Sequence, residues 1–217
     1  NAIKEKYKAL GLLQKMGLVA LHPELEIQPT DGWSWTSAGR VNGILASPKM
    51  SRAVEIVKSR PDCGHIIFVD NVAVHRWLFD LLVQSGIPAE RIAILNAERA
   101  PTPLDRQNIA EGFNGVSAII DPATGRIEQE GIPPKYDVVI ANAVAYEGID
   151  LQIRTCVVIH LDLPYEPATL QQRNGRAVRQ GNTQSVVKVY YLCSAKSYDA
   201  VKLAMIRGKL RWMSDIL

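Results

Sequence analysis

Apolar residues recur along this chain in two alternating rhythms. Short β-branched or continuously apolar runs at residues 65–70, 91–95, 116–120, 137–141, 155–161 and 186–192 predict six strands. Between them, apolar residues three and four apart predict helices over 74–84 and 104–113. Ser47-Pro48 starts an earlier helix that runs to about residue 59, with Met50, Val54 and Val57 on one face. Residues 3–19 predict an amphipathic helix. Strand and helix in alternation argue for an α/β fold, a mostly parallel sheet with helices on both faces. Val138-Val139-Ile140 and Val157-Val158-Ile159 carry no polar break, which suits strands buried on both sides. Ligands of such sheets sit beyond the carboxyl ends of the strands. That directs attention to Asp70-Asn71, to Asn96-Ala97, to residues 142–150 and to the loop after Leu161.

Two stretches break the rhythm. Residues 27–42 are turn-rich and hold Trp33 and Trp35, expected to cover a core edge rather than to stack on a base. Residues 122–134 contain Ala123-Thr124-Gly125, turn chemistry flanked by short alternating segments, so a small hairpin is expected. The chain therefore divides into a helix and connecting segment over 1–45 and a lobe over 46–217, with an insertion at about 122–135. Such an insertion is either a contact with a partner or DNA, or an inert surface excursion.

Composition adds a little. The 217 residues are 47% hydrophobic, which suits a globular core. The formal charge is only +3, yet residues 160–217 carry +5 and the remainder −2. A basic end on a near-neutral body suits phosphate or nucleic-acid contact, and also an ordinary solvated surface. Cys63, Cys156 and Cys193 lie far apart, which predicts reduced core thiols, and Cys63-Gly64-His65 alone is too short for a metal site, so no metal ligand is expected. No apolar run reaches the length of a membrane span and no signal peptide is visible, so a cytoplasmic setting without membrane contact is expected. The first residue is Asn1 rather than Met, so the sequence is read as a piece of a longer chain.

The most informative chemistry is Gln171-Gln172-Arg173-Asn174-Gly175-Arg176-Ala177-Val178-Arg179-Gln180-Gly181-Asn182, three arginines at a spacing of three with no acid between them. A helix over 168–179 would put Gln172, Arg176 and Arg179 on one face, a clamp for an oxyanion such as phosphate. A second stretch, Ala141-Asn142-Ala143-Val144-Ala145-Tyr146-Glu147-Gly148-Ile149-Asp150-Leu151-Gln152, follows the fourth predicted strand. For an isolated basic triplet, or for Gly148 alone, a solvated helix or a plain turn is the ordinary reading.

Together the two stretches resemble motifs V and VI of helicase superfamily two, and in particular those of the SWI/SNF-type DNA translocases. Glu147, Gly148, Leu151 and Gln152 match the family spelling, with Asp150 at the usual Asn position. Ala145-Tyr146 replaces a Gly-Gly pair, and Ala141 lacks the usual hydroxyl. Residues 66–71 resemble motif IV, 106–114 the Arg-x-x-x-x-x-x-Phe-Asn helix, and 12–25 the helix ending in His-Pro-x-Leu that leads into the second lobe. The local spelling looks most like large phage and mobile-element proteins that join such a motor to a methyltransferase-like region. The resemblance implies a RecA-like three-layer α/β/α lobe. It implies Arg179 as arginine finger, Arg176 as second phosphate contact and Gln172 as the orienter of the arginines or of the attacking water. It implies ATP contacts from Glu147, Gly148 and Asp150, and nucleic-acid contacts from Asn71, Asn96, Asn142 and Ala143. The implied polymer is double-stranded DNA, with RNA the second choice.

The motor half that holds ATP is missing. No Gly-x-x-x-x-Gly-Lys-Ser/Thr occurs: Gly208-Lys209 has Leu203 and Leu210 where the pattern needs Gly and a hydroxyl. No Asp-Glu pair occurs either. Without a phosphate cradle and a Mg²⁺ carboxylate the chain is expected to be inactive alone. ATP and Mg²⁺ would be held mainly by an N-terminal RecA-like lobe of the same polypeptide. The rival expectation is a non-catalytic nucleic-acid or protein binding module of the same fold.

Overall fold

A computed structural model describes residues 2–25, 40–146 and 148–216. Trp33, Trp35 and Glu147 lie outside the described residues. Helix α1 (Ala2–Leu21) leads through a 3-10 turn (Pro23–Leu25) to a two-stranded hairpin, β1 (Arg40–Val41) and β2 (Ile44–Leu45). Its turn is Asn42-Gly43, both at positive φ, the conformation a tight hairpin demands and Asn-Gly supplies. Helix α2 (Pro48–Lys58) follows, with the Ser47 hydroxyl accepting from Met50 N and with Met50, Val54 and Val57 buried. Then come β3 (Gly64–Phe68), α3 (Val72–Gln84), β4 (Ile92–Leu95) and α4 (Pro103–Asn114). A reciprocal Thr102–Asp105 capping box starts α4, and Gly115 ends it at φ 72°. The chain continues as β5 (Val116–Ile120), β6 (Ile127–Gly131), β7 (Val138–Ala141), β8 (Thr155–His160), α5 (Pro167–Gly175), β9 (Lys188–Tyr191) and α6 (Tyr198–Ile216).

Five strands form one parallel sheet in the order β4-β7-β3-β8-β9. Its three central strands are wholly buried, as their largely apolar spelling suits, with His65, Thr155 and His160 the polar residues among them. One core lies between the sheet and α2–α3, around Met50, Ile67, Leu78 and Ile159. The other, around Ile66, Phe68, Phe113, Val139 and Leu151, lies on the opposite face under α4. A buried ion pair from Lys49 to Asp199 (2.6 Å) ties α2 to α6.

Three expectations are corrected. Residues 116–120 are a strand, but not of the parallel sheet: β5 pairs antiparallel with β6 as a separate hairpin. Its exposed Ile120 and Ile127 cannot enter a sheet buried on both faces. The arginine-bearing helix stops at Gly175, because beyond it Ala177 turns inward and is fully buried in the second core. Cys63 and Cys156 are not separate thiols: β3 and β8 are neighbours, and the two sulfurs are in bonding contact, with Cα atoms 5.8 Å apart. Cys193, just past β9, is exposed.

Candidate functional site

The carboxyl ends of the five strands bring most of the expected residues to one edge of the sheet. After β7 the chain makes an Asx turn, with Asn142 Oδ1 accepting from Val144 N (3.2 Å), and enters a 3-10 turn over Ala143–Tyr146. Gly148 follows at φ 66°, a conformation an L side chain rarely adopts, with open space where a Cβ would stand. That turn delivers Asp150, 53% exposed, to the two arginines beyond α5. The Arg179 guanidinium hydrogen-bonds and ion-pairs with Asp150 Oδ1. Arg176 Nη1 lies 4.0 Å from the same oxygen and donates to Ile149 O at 3.0 Å.

So the two guanidiniums converge, but not from one helix face. Gln172 is exposed on α5, Arg176 is that helix's C-cap, and Arg179 stands in the loop beyond it. Their meeting point is Asp150, which spacing along a helix does not reveal. Arg179 is 54% exposed, so its pairing with Asp150 is worth less than about 1 kcal/mol. A competing anion can displace it cheaply.

The first arginine of the run does something else. Arg173 is wholly buried: Nη2 donates to Asp70 Oδ2 (2.6 Å), Nη1 donates to Asp162 Oδ1 and O (3.1 Å each), and the plane lies 5.7 Å from the Phe68 ring centre. Asp162 Oδ2 also accepts from Asp70 N (2.7 Å). The charge that looks uncompensated in the sequence is therefore met by two acids at the tips of adjacent strands. Beside it His160 Nε2 meets Asn174 Oδ1 at 2.8 Å, and its ring stacks between Phe68 and Tyr191. Burial pushes the His160 pKa down to about 4, so it is neutral at physiological pH.

Two amides fix the loops that carry Asp150 and the arginines. Asn114 Nδ2 donates to Asp150 O (2.7 Å), and its Oδ1 accepts from Ile153 N (3.2 Å). Asn182 Nδ2 donates to Thr155 O (2.8 Å) and Ala177 O (3.0 Å), while its Oδ1 accepts from Gln184 N (2.7 Å). The sequence singles out neither for this task. The Phe-Asn ending of the fourth helix and the Gly-Asn closing the arginine run were the available signals. The β5–β6 hairpin borders the same place: Val116, Ala118 and Gln129 share a cavity of about 120 Å³ with Gly148 and Asp150. The insertion thus reaches the candidate site.

The expected nucleic-acid contacts divide. Asn71 caps α3, its Oδ1 accepting from Ala73 N (3.1 Å), at the exposed end of β3. Asn142 is half-buried and Ala143 exposed. Asn96 is corrected: it is 2% exposed, and its amide is spent within the fold. Its Oδ1 accepts from Glu98 N and Arg99 N, and its Nδ2 lies 3.1 Å from His75 Nδ1, whose Nε2 is bonded to Val69 O. Asn96 shapes the loop after β4 rather than offering its side chain to a ligand.

Residues 123–181, which hold both the Gly148–Asp150 turn and the arginine run, match the helicase conserved C-terminal domain. The chain is 30% identical over 207 residues to the defense against restriction protein B of Escherichia phage P1, covering 79% of this chain. It spans only 9% of that relative's length. Among solved structures it is similar to the C-terminal part of the Fun30 ATPase domain (TM-score 0.60, 18% identity, 77% of this chain and 47% of that one). It is also similar to the C-terminal domain of the DEAD-box protein Dbp5 (TM-score 0.52, 21% identity, 75% and 78%). No helix among the described residues is long and apolar enough to cross a membrane. The chain therefore has the RecA-like α/β fold of these solved domains, and its residues 123–181 match the helicase conserved C-terminal domain.

Proposed function

We propose that this chain is the second motor lobe of an ATP-dependent DNA translocase, acting on ATP and Mg²⁺ held by a first lobe of the same polypeptide. The observation that carries the reading is the convergence of Arg176 and Arg179 on Asp150, beside the left-handed turn at Gly148. Their bond to an exposed carboxylate is weak enough to be exchanged for a triphosphate. On lobe closure Arg179 stabilises the charge on the transferring phosphoryl group and Arg176 takes a second phosphate oxygen. Gln172 orients them from α5. Asp150, once released, accepts from a ribose hydroxyl, and Gly148 completes the nucleotide edge; Glu147 is assigned to ATP by its match to the family spelling alone. Asn71, Asn142 and Ala143 lie on loops suited to the nucleic-acid backbone, so binding should be salt-sensitive. Hydrolysis reopens the lobes, and repeated closure moves the grip along the strand.

DNA rather than RNA is favoured by the name of the phage P1 relative, since restriction acts on DNA. The test is Arg179→Ala in the full-length parent. DNA-stimulated ATP hydrolysis should fall by about 10³–10⁵-fold with DNA affinity retained. Undiminished hydrolysis would replace the motor reading with that of a binding module.

A further inference from the structure

The opposite, amino-terminal end of the sheet holds a second chemical cluster, remote in the fold from the arginines. Cys63 precedes β3, His65 lies on it, and Cys156 lies on β8. The parallel pairing slips there: Gly64 faces Thr155, but His65 faces Val157, so Cys156 is an extra residue without a partner. A bulge of this kind re-aims a side chain, and it is rare between parallel strands. Here it turns Cys156 to the face of Val157 and Ile159, where Cys63 also packs. One ligand atom from each of Cys63, His65 and Cys156 lies within 4.8 Å of the others, and all three residues are buried.

His65 is the unexplained member. It is 1% exposed, and neither ring nitrogen has a hydrogen-bond partner among the described residues. Leaving such a group unpaired costs its full desolvation, so a buried orphan needs a reason. Burial pushes its pKa down to about 4. The Asp137 and Cys63 carbonyls partly offset this, yet neither reaches hydrogen-bonding geometry. A bond between the two sulfurs accounts for the cysteines and leaves the imidazole unaccounted for. A shared soft ion accounts for all three.

We propose that Cys63, His65 and Cys156 of the reduced chain hold one thiophilic metal ion. Two thiolates and a neutral imidazole suit Zn²⁺, with bond lengths of about 2.3 Å to sulfur and 2.0–2.1 Å to nitrogen. The fourth ligand is water, entering from a cavity of about 290 Å³ that His65 lines with Val57, Pro61, Gly86 and Val138. The bonded sulfur pair is the oxidised form of the same site. Reduction by a phosphine and water gives the phosphine oxide and two thiols, and metal binding then releases their two protons. The sulfurs must part to about 3.7 Å to share a tetrahedral ion.

The experiment reduces this chain anaerobically with a phosphine and titrates it with Co²⁺, read by thiolate-to-cobalt charge transfer and tetrahedral ligand-field bands. One equivalent should bind, Zn²⁺ should displace it, and Zn²⁺ should shield two thiols from a thiol reagent until a chelator is added. Cys156→Ser should abolish the charge-transfer band. His65→Gln should weaken Co²⁺ binding more than tenfold. The wild-type thiol count needs no variant to fold. Two freely reactive buried thiols with no cobalt spectrum would overturn the proposal. So would a sulfur–sulfur bond that survives the reductant, which would mark a permanent cross-link. None of these outcomes depends on the motor reading.

Discussion

Two regions six residues apart treat the same side chain in opposite ways. Within α5, Arg173 is wholly buried, clasped by Asp70 and Asp162 and laid against Phe68. Beyond α5, Arg179 is more than half exposed and shares one equally exposed carboxylate with Arg176. A guanidinium that surrenders its water for two fixed acids has no spare capacity for a ligand, and its work is to bind two strand tips to the helix. A guanidinium on a half-solvated acid keeps most of its hydration and changes partner at little cost. The difference separates a scaffold arginine from Arg179, with Arg176, 19% exposed and bonded to Ile149 O, between the two.

The comparison can be broken most forcefully at Arg173. Arg173→Ala leaves Asp70 and Asp162 facing each other and opens a cavity, so stability should fall by about 3–5 kcal/mol in denaturant unfolding. Arg179→Ala should leave the unfolding midpoint nearly unchanged. Acid sharpens the same contrast. His160 sits beside Arg173, and its folded pKa of about 4 lies below its unfolded value near 6.5. The unfolded chain therefore binds the proton first. Stability is full above pH 6.5 and is lost as pH falls toward 4, by roughly 3 kcal/mol from this group. The loss across that range, read from melting curves, should be smaller in His160→Asn, with the remainder coming from the buried His65. Next comes Asn114→Ala, which frees Asp150 O and Ile153 N and should cost about 1–3 kcal/mol. In the full-length parent it should also lower hydrolysis by loosening the turn that carries Asp150. The smallest effect belongs to Asp150→Ala: less than about 1 kcal/mol in stability, because the pair it removes is solvated.

Much of this architecture is legible in the sequence. The buried strands are spelled mainly in apolar residues, Ser47-Pro48 announces its helix, and Gly148 marks one of the turns that take a positive φ. What escapes has physical causes. The 116–120 run has strand chemistry, but nothing local says whether it pairs with the sheet or with the segment after it. Asn42-Gly43 signals a tight hairpin, hidden because its strands are two residues long. The end of α5 is decided by Ala177 packing under residues far away in sequence, which helical spacing cannot sense. The partners of Arg173 lie 103 and 11 residues away, and Cys156 lies 93 residues from Cys63. Pairings of that kind exist only after the strands have found their order.

The most direct measurement is a structure of the full-length parent with DNA and a non-hydrolysable ATP analogue. The account predicts that Arg179 has left Asp150 and donates to the γ-phosphate, with Arg176 on a neighbouring phosphate oxygen and Arg173 still between Asp70 and Asp162. Arg179 still paired with Asp150 while other side chains hold the γ-phosphate would contradict it.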